Sequence, residues 1–331
     1  MGHRRNAFAQ LQQGVYRFTA ADASASSTGP RVTIVGGVHG NERIGVNVLD
    51  ALCLALLHVS PLHTTGGAQV LPTLTHGSVT LVYGNLAAIR IGKRGSMPHA
   101  DLNRCFPIDV LSPSAPPSST YEQRRAVELA PVLANSDVML DLHSTNKPSE
   151  PFVRIAGHPT IPATLSQILE RLPCDILLHD PRHLLADGQV ALTDEYVGAN
   201  GGLGVCYESG VASDLSQAKV SSILTSILQI LQHDTQSIEP LFASEESKSS
   251  GLPRATKREM TTYEITQVFK LTDEGFRWAD GVGDTNFQRV PAKHPIGFVG
   301  SADDGRAAAP FAVDYDAHIV FPKVPALWQV G

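Results

Sequence analysis

A short apolar run near the start of the chain ends at a pair of glycines, and polar side chains follow at once. The run covers residues 32–35 in V-T-I-V-G-G-V-H-G-N-E, so His39 and Glu42 lie just beyond the glycines. A short apolar run bounded by turn residues is typical of a buried strand in a parallel sheet. Open α/β sheets bind their ligands at the carboxyl ends of such strands. The segment therefore predicts a site at a strand end, with an imidazole and a carboxylate as half of a zinc site.

The rest of the first 235 residues alternates between predicted strands and predicted helices. Apolar runs predict further strands at 78–83, 137–142 and 202–207, and helical spacing of apolar residues predicts helices at 44–59, 121–133, 160–172 and 215–231. Such alternation favours an α/β fold with a parallel or mixed sheet flanked by helices.

The composition changes at residues 236–256, where Ser, Glu, Lys and Gly dominate. We interpret this stretch as a linker between an α/β domain at 1–235 and a smaller C-terminal β-rich domain at 257–331. Runs at 262–271, 296–299 and 318–321 predict strands in that second domain.

The overall charge and cysteine content exclude several classes of protein. With a net charge of −6 and a pI of about 6.1, the chain lacks the basic footprint of a nucleic-acid or anionic-membrane binder. The four cysteines form no CxxC pair, which favours reduced thiols in a cytoplasm over disulfides. We find no signal peptide and no apolar run of transmembrane length. These features predict a cytoplasmic protein.

A third candidate metal ligand follows another predicted strand. His143 comes directly after the apolar run at 137–142, so it should emerge on the same sheet edge as His39. Asp141 lies on the same side of that strand and could orient a ligand. Two histidines and a glutamate would hold one zinc ion and leave a position for water. The alternative is that a short HxxE motif occurs by chance and that His143 only ends a strand.

Glu208 is the candidate general base. It follows the apolar run at 202–207, where partial burial would raise the pKa of its carboxyl towards a useful range. A zinc-activated water must lose a proton and a leaving group must gain one, which a carboxylate can do. The alternative is an exposed glutamate in a turn.

The polar segment before Phe106 supplies candidate cations. Arg94, with Lys93 as a substitute, could stabilise negative charge on a carbonyl oxygen. Asn103 and Arg104 form a pair suited to a substrate carboxylate. The alternative is that these are ordinary surface cations.

Four motifs in this order resemble the aspartoacylase/succinylglutamate desuccinylase family, a branch of the zinc carboxypeptidase-like hydrolases. They are G-G-V-H-G-N-E at 36–42, D-L-N-R-C-F at 101–106, Y-E-Q-R-R-A at 121–126 and D-L-H at 141–143. The resemblance runs from about residue 31 to 233 and continues weakly to the C-terminus. It implies a zinc-carboxypeptidase-like α/β domain and a β domain that narrows the entrance to the active site.

The resemblance also implies a role for each candidate residue. It makes Glu208 the general base, Arg94 the stabiliser of the tetrahedral intermediate, and Asn103 with Arg104 the grip on the α-carboxylate. The implied zinc ligands are His39, Glu42 and His143.

Two features depart from the family pattern. The spacing from Arg94 to Asp101 is two residues longer than expected. Ten residues before Glu208, where relatives that hold a second substrate carboxylate carry an arginine, this chain has Gly198, with Asp194 and Glu195 nearby.

We therefore expect a zinc-dependent amidohydrolase that removes the acyl group from a small-molecule N-acyl amino acid. Because of Gly198, neutral or basic amino acids should be preferred over N-acetyl-aspartate. The alternatives are a carboxypeptidase acting on small peptides and a zinc-retaining binding protein without turnover. No nucleic-acid or membrane partner is expected, and a homodimer is compatible with the sequence.

Overall fold

The computed structural model describes residues 5–21, 29–63, 65, 67, 69–109, 111, 119–232, 259–269, 276–300 and 309–323. The predicted linker at 236–256 lies outside these residues.

The described part of the chain contains six α-helices and sixteen strands. The helices are α1 Arg43–Leu56, α2 Leu86–Ile91, α3 Tyr121–Ala134, α4 Ala163–Leu169, α5 Thr193–Ala199 and α6 Gln217–Gln232. The strands are β1 Ala7–Gln12, β2 Val15–Thr19, β3 Arg31–Gly36, β4 Leu62–His63, β5 Gln69–Val70, β6 Ser78–Tyr83, β7 Val138–Thr145, β8 Phe152–Ala156, β9 Ile176–Asp180, β10 Leu203–Val211, β11 Thr261–Glu264, β12 Arg277–Trp278, β13 Gln288–Val290, β14 Gly297–Val299, β15 Ala309–Phe311 and β16 Ala317–Ile319.

Nine strands form one mixed sheet in the order β1-β2-β6-β3-β7-β10-β8-β9-β11. The central strands β6, β3, β7 and β10 run parallel, whereas β8 runs antiparallel to β10. The predicted fold class, an α/β sheet flanked by helices with smaller β structure after it, is confirmed.

Helices cover both faces of this sheet because alternate strand residues point to opposite sides. Ile34 and Leu140 belong to one buried cluster, which also contains residues of α1 and α6. Their neighbours Val35 and Met139 belong to a second cluster with residues of α3. The parallel strands are therefore buried on both faces, which explains their continuous apolar runs.

The glycines after β3 serve two different purposes. Gly37 has a φ of +69°, a left-handed conformation that favours glycine. At Gly40, a Cβ atom would lie 2.0 Å from the carbonyl carbon of Ala88. The turn can therefore pack directly against α2, and this contact fixes the position of the residues that follow.

The first strand of the C-terminal region belongs to the large sheet. β11 pairs in parallel with β9, with Thr261 opposite Ile176, and so covers an edge that β9 would otherwise expose. The later strands form two small antiparallel sheets, β12-β14-β15 and β13-β16. Of these strands, the sequence patterns predicted β14 and β16 but not β12, β13 or β15, and they did not predict any of the pairings.

Candidate metal centre and active site

Three buried side chains converge at the carboxyl end of the central strands. His39 lies in the turn after β3, Glu42 immediately precedes α1, and His143 lies on β7. The Nδ1 atom of His39 is 2.7 Å from Glu42 Oε1, and the Nδ1 atom of His143 is 3.0 Å from Glu42 Oε2. One potential ligand atom from each residue lies within 4.8 Å of the others. The structure therefore brings together the three predicted ligands.

The other ring nitrogen of each histidine faces a second carboxylate. His39 Nε2 lies 3.0 Å from Asp101 Oδ1, and His143 Nε2 lies 3.0 Å from Asp141 Oδ2. Histidines that bind metals commonly donate their second nitrogen to a carboxylate, which fixes the tautomer and the ring orientation. His39 Nε2 forms a hydrogen bond with Asp101, and His143 Nε2 lies at ion-pair distance from Asp141. Both Nδ1 atoms, which face Glu42, can therefore serve a cation, and the donor set fits a zinc ion.

The electrostatics of this cluster also favour a cation. Although burial works against the charged forms, the two imidazoles hold the pKa of Glu42 well below its usual range. The carboxylates of Asp141 and Glu42 likewise hold the pKa of His143 well above its usual range, against the effect of burial. The carboxylates of Glu42, Asp101 and Asp141 thus outnumber the one guanidinium among the described residues of this cluster, that of Arg94. A divalent ion could therefore take the place of a proton on the histidines.

Glu208 lies beside His143 on the neighbouring strand. The parallel pairing of β10 with β7 continues through Glu208 and His143, so both residues lie inside strands that extend beyond the predicted ends. Glu208 is 7% exposed, and burial raises its pKa to about 7. Its Oε2 atom has no hydrogen-bond partner among the described residues. This carboxylate is therefore available to accept and return a proton.

Arg94, rather than Lys93, contacts the cluster. The Nη2 atom of Arg94 lies 2.8 Å from Asp101 Oδ2, and its Nη1 atom lies 3.8 Å from Glu42 Oε1. Its carbonyl oxygen accepts a hydrogen bond from Gly40 N. Lys93 is exposed. The longer spacing between Arg94 and Asp101 therefore does not prevent the guanidinium from reaching the site.

Asn103 and Arg104 lie in a short 3-10 helix, Leu102–Arg104. Asp101 starts this turn by accepting a hydrogen bond from the backbone N–H of Asn103 at 2.9 Å. The side chain of Asn103 is buried, whereas Arg104 is exposed, and both line the same cavity as His39. The pair is placed where it could bind an anionic group of a substrate.

The cavity above the cluster has a volume of about 1200 Å³. His39, Glu42, His143 and Glu208 lie among its lining residues. The C-terminal part of the chain contributes a largely aromatic wall: Phe276, Trp278, Phe311, Val313 and Tyr315. Described C-terminal residues therefore line the same cavity as the cluster.

Arg154 also lines the cavity, and the sequence offered no signal for it. It lies on β8 opposite Cys206 of β10, and it is 1% exposed. Its Nη2 atom donates to both carboxylate oxygens of Asp194 at 2.8 Å, and its Nη1 atom donates to Glu195 at 3.1 Å. Asp180 is 3.5 Å away. Only the antiparallel placement of β8 brings this arginine to the site.

Gly198 does not occupy the position that the sequence comparison suggested. It lies on α5 outside the residues that line the cavity, and a Cβ atom there would meet nothing within 4 Å. The absence of an arginine at this position therefore says little about the pocket. A buried charge that does line the pocket is that of Arg154, which pairs with carboxylates around it.

Together, these features define an α/β protein with a His-Glu-His centre of metal-binding type at the carboxyl edge of its sheet. A sequence model of the succinylglutamate desuccinylase/aspartoacylase catalytic domain matches residues 28–234. The chain belongs to this family.

Curated relatives match parts of the chain that differ in length. A protein of Nostoc sp. described as a probable aspartoacylase is 37% identical over 120 residues, which are 35% of each chain. The mouse N-acyl-aromatic-L-amino acid amidohydrolase (carboxylate-forming) is 26% identical over 243 residues, 67% of each chain. The match thus spans about a third of the length of the first relative.

Solved structures share the fold over nearly the whole chain. The succinylglutamate desuccinylase of Vibrio cholerae aligns with a TM-score of 0.63 at 18% identity, covering 97% of this chain and 86% of that one. The enzyme of that name from Chromobacterium violaceum aligns with a TM-score of 0.61 at 19% identity, covering 87% and 81%.

None of the helices in the described part of the chain combines the length and apolar character needed to cross a membrane.

Proposed function

We propose that this protein is a zinc-dependent amidohydrolase that removes the acyl group from an N-acyl amino acid. The observation that carries the proposal is the convergence of His39, Glu42 and His143 beside Glu208, in one cavity. Two nitrogen donors and one carboxylate form a typical catalytic zinc site, which leaves room for water and substrate. Family membership supports hydrolysis of a linear amide bond.

Bound zinc would act as a Lewis acid on the scissile carbonyl and would lower the pKa of water. Glu208 takes the proton of the attacking water and returns it to the leaving amine nitrogen. A carboxyl with a pKa near 7 is suited to both transfers at neutral pH. Burial of Glu208 thus raises its pKa into the range that the proposed catalytic role requires.

Two arginines and an asparagine that line the cavity complete the proposed reaction. Arg94 donates hydrogen bonds to the carbonyl oxygen as negative charge builds on it. Arg104 and Asn103 bind the α-carboxylate of the amino acid, as a guanidinium with an adjacent amide can. These interactions orient the amide bond towards Glu208.

The charges around Arg154 support a preference for substrates without a second carboxylate. Asp194, Glu195 and Asp180 already neutralise this guanidinium, so it offers little to an acidic side chain. We therefore propose that N-acyl derivatives of neutral or basic amino acids are hydrolysed faster than N-acetyl-aspartate. The aromatic cavity wall and the specificity in the mouse relative's name favour aromatic amino acids among them.

The proposed organisation follows the sequence prediction. Residues 1–235 would form the catalytic domain, and residues 257–331 would cover the entrance, which supports a small substrate over the peptide of a carboxypeptidase.

The four cysteines are free, which supports a cytoplasmic location. A homodimer stays a prediction.

The decisive experiment compares the zinc-loaded wild type with Glu208→Gln on a panel of N-acetyl, N-formyl and N-succinyl amino acids. The variant should retain zinc and lose at least about 100-fold in kcat, because an amide cannot transfer the proton. A near-native rate would remove the assignment of the base. A variant that binds zinc without turnover, beside an equally inactive wild type, would favour the non-catalytic binding protein.

A further inference from the structure

Thr193, the first residue of α5, contacts both halves of the proposed site. It is 1% exposed. Its backbone N–H donates to Asn103 Oδ1 at 3.0 Å, and its hydroxyl oxygen lies 3.2 Å from the same atom. The hydroxyl also forms a hydrogen bond with Asp141 Oδ2. One residue thus joins the carboxylate-binding asparagine to the partner of a metal-ligating histidine.

The single hydroxyl proton of Thr193 can serve only one acceptor at a time. Asn103 Oδ1 and the carboxylate of Asp141 can both only accept. A carboxylate forms the stronger hydrogen bond, so the hydroxyl donates to Asp141. The backbone N–H then serves Asn103, whose NH₂ group is left to donate to a ligand.

This hydroxyl is important to Asp141 because that carboxylate is fully buried. Its Oδ1 atom has no hydrogen-bond partner among the described residues, and its Oδ2 atom lies 3.0 Å from His143 Nε2. The donor from Thr193 therefore fixes the orientation of the carboxylate. The carboxylate in turn lies at ion-pair distance from His143 Nε2, where it can act on the orientation of the ring.

The start of α5 is itself held rigidly. The two residues after Thr193, Asp194 and Glu195, both pair with buried Arg154. Glu195 Oε2 also accepts hydrogen bonds from the backbone of Ala191 and Leu192, at 3.0 and 3.2 Å. The position of Thr193 is thus fixed by interactions within the protein.

We propose that Thr193 is a positioning residue that couples the metal centre to the carboxylate-binding site. Its hydroxyl orients Asp141, and through it His143, whereas its N–H orients Asn103. The role of Thr193 towards Asn103 rests on the proposed function. Its role towards Asp141 and His143 can be measured without turnover, as an effect on zinc binding.

The test uses the full-length metal-free chain and measures zinc affinity by competition with a chromogenic chelator. Thr193→Val keeps the shape and removes the hydroxyl, and should weaken zinc binding by about 10- to 100-fold, as loss of groups behind metal ligands does. Thr193→Ser should restore most of the affinity. At saturating zinc, the KM of Thr193→Val should change little, because the N–H still holds Asn103.

The matched control is Thr225→Val, which removes another buried threonine hydroxyl, one bonded to Ser221 O at 2.7 Å. A structural effect alone would lower the melting temperature of both valine variants and leave zinc affinity unchanged. Wild-type zinc affinity in Thr193→Val, or no rescue by serine, would overturn the inference. An inactive wild type with the expected zinc affinities would instead refute the proposed substrate class.

Discussion

Two clusters of buried charge lie on the same sheet, and they are compensated in different ways. Around Arg154, a permanent cation pairs with Asp194, Glu195 and Asp180. Around Glu42, the nearest partners of the carboxylate are two imidazoles, whose charge depends on bound protons, whereas the guanidinium of Arg94 lies farther away, at 3.8 Å. A buried charge needs a partner. The Arg154 cluster contains both the cation and its carboxylate partners, so we interpret it as structural. The Glu42 cluster, in contrast, can accept a metal cation from solution.

The largest effect should come from removing the permanent cation. Arg154→Met leaves three buried carboxylates without their partner, which should lower the free energy of unfolding by about 3–5 kcal/mol. Urea denaturation of the metal-free protein would measure the loss. The control is Arg289→Met, because Arg289 pairs with Asp316 at the exposed surface. Equal midpoints for the two variants would show that the Arg154 cluster has no structural role.

Zinc should have the next largest effect, and only through the Glu42 cluster. At a free concentration of about 100 times Kd, zinc should stabilise the wild type by about 2.7 kcal/mol, because it binds the folded state. His143→Ala should lose most of this gain, and Arg154→Lys should keep it. Thermal unfolding with and without the ion measures both. An equal zinc-induced shift in His143→Ala would place the ion elsewhere.

A smaller effect should appear when the Arg154 cluster loses one negative charge. Asp194→Asn frees part of the guanidinium that lines the cavity, so an acidic substrate side chain should be better accepted. We expect the ratio of kcat/KM for N-acetyl-aspartate over N-acetyl-phenylalanine to rise about tenfold, or ~1.4 kcal/mol. Asp316→Asn, at the surface, is the control. An unchanged ratio would mean that the substrate side chain does not reach Arg154.

The smallest effect should come from an exposed pair at the opposite end of the sheet. Arg31 donates to Asp137 through its backbone N at 2.7 Å and its Nε at 3.1 Å. Against the effect of partial burial, these bonds hold the pKa of Asp137 below its usual value of 3.8. The pair should therefore stabilise the fold above about pH 4, and this contribution should be lost as the pH falls below it.

Because Asp137 is more than a third exposed, the contribution should stay below about 1 kcal/mol. Asp137→Asn should lower the stability at pH 7 by that amount, and the difference from the wild type should shrink as the pH falls through the lowered pKa of Asp137. A loss as large as that of Arg154→Met would contradict the contrast between buried and exposed charges.

The parts of the site that the sequence predicted depend on local structure. His39 and Glu42 follow one strand within a single turn, and His143 and Glu208 belong to apolar runs that continue as strands, so sheet geometry brings them to one edge. The residues that the sequence did not predict act across the fold. Arg154 approaches through an antiparallel neighbour of β10, and Thr193 lies more than fifty residues from Asp141 and ninety from Asn103.

The sequence by itself determined the α/β architecture, the strand ends near which the candidate ligands lie, and the kinds of donor available there. These follow from apolar periodicity and glycine positions, which act over a few residues. Only the tertiary structure decided that Arg94 rather than Lys93 reaches Asp101, that β11 completes the large sheet, and that Gly198 lies outside the cavity lining. Those outcomes depend on strand order and on the packing of distant segments. A buried charge, in particular, is stabilised only by the partners that the whole fold brings to it.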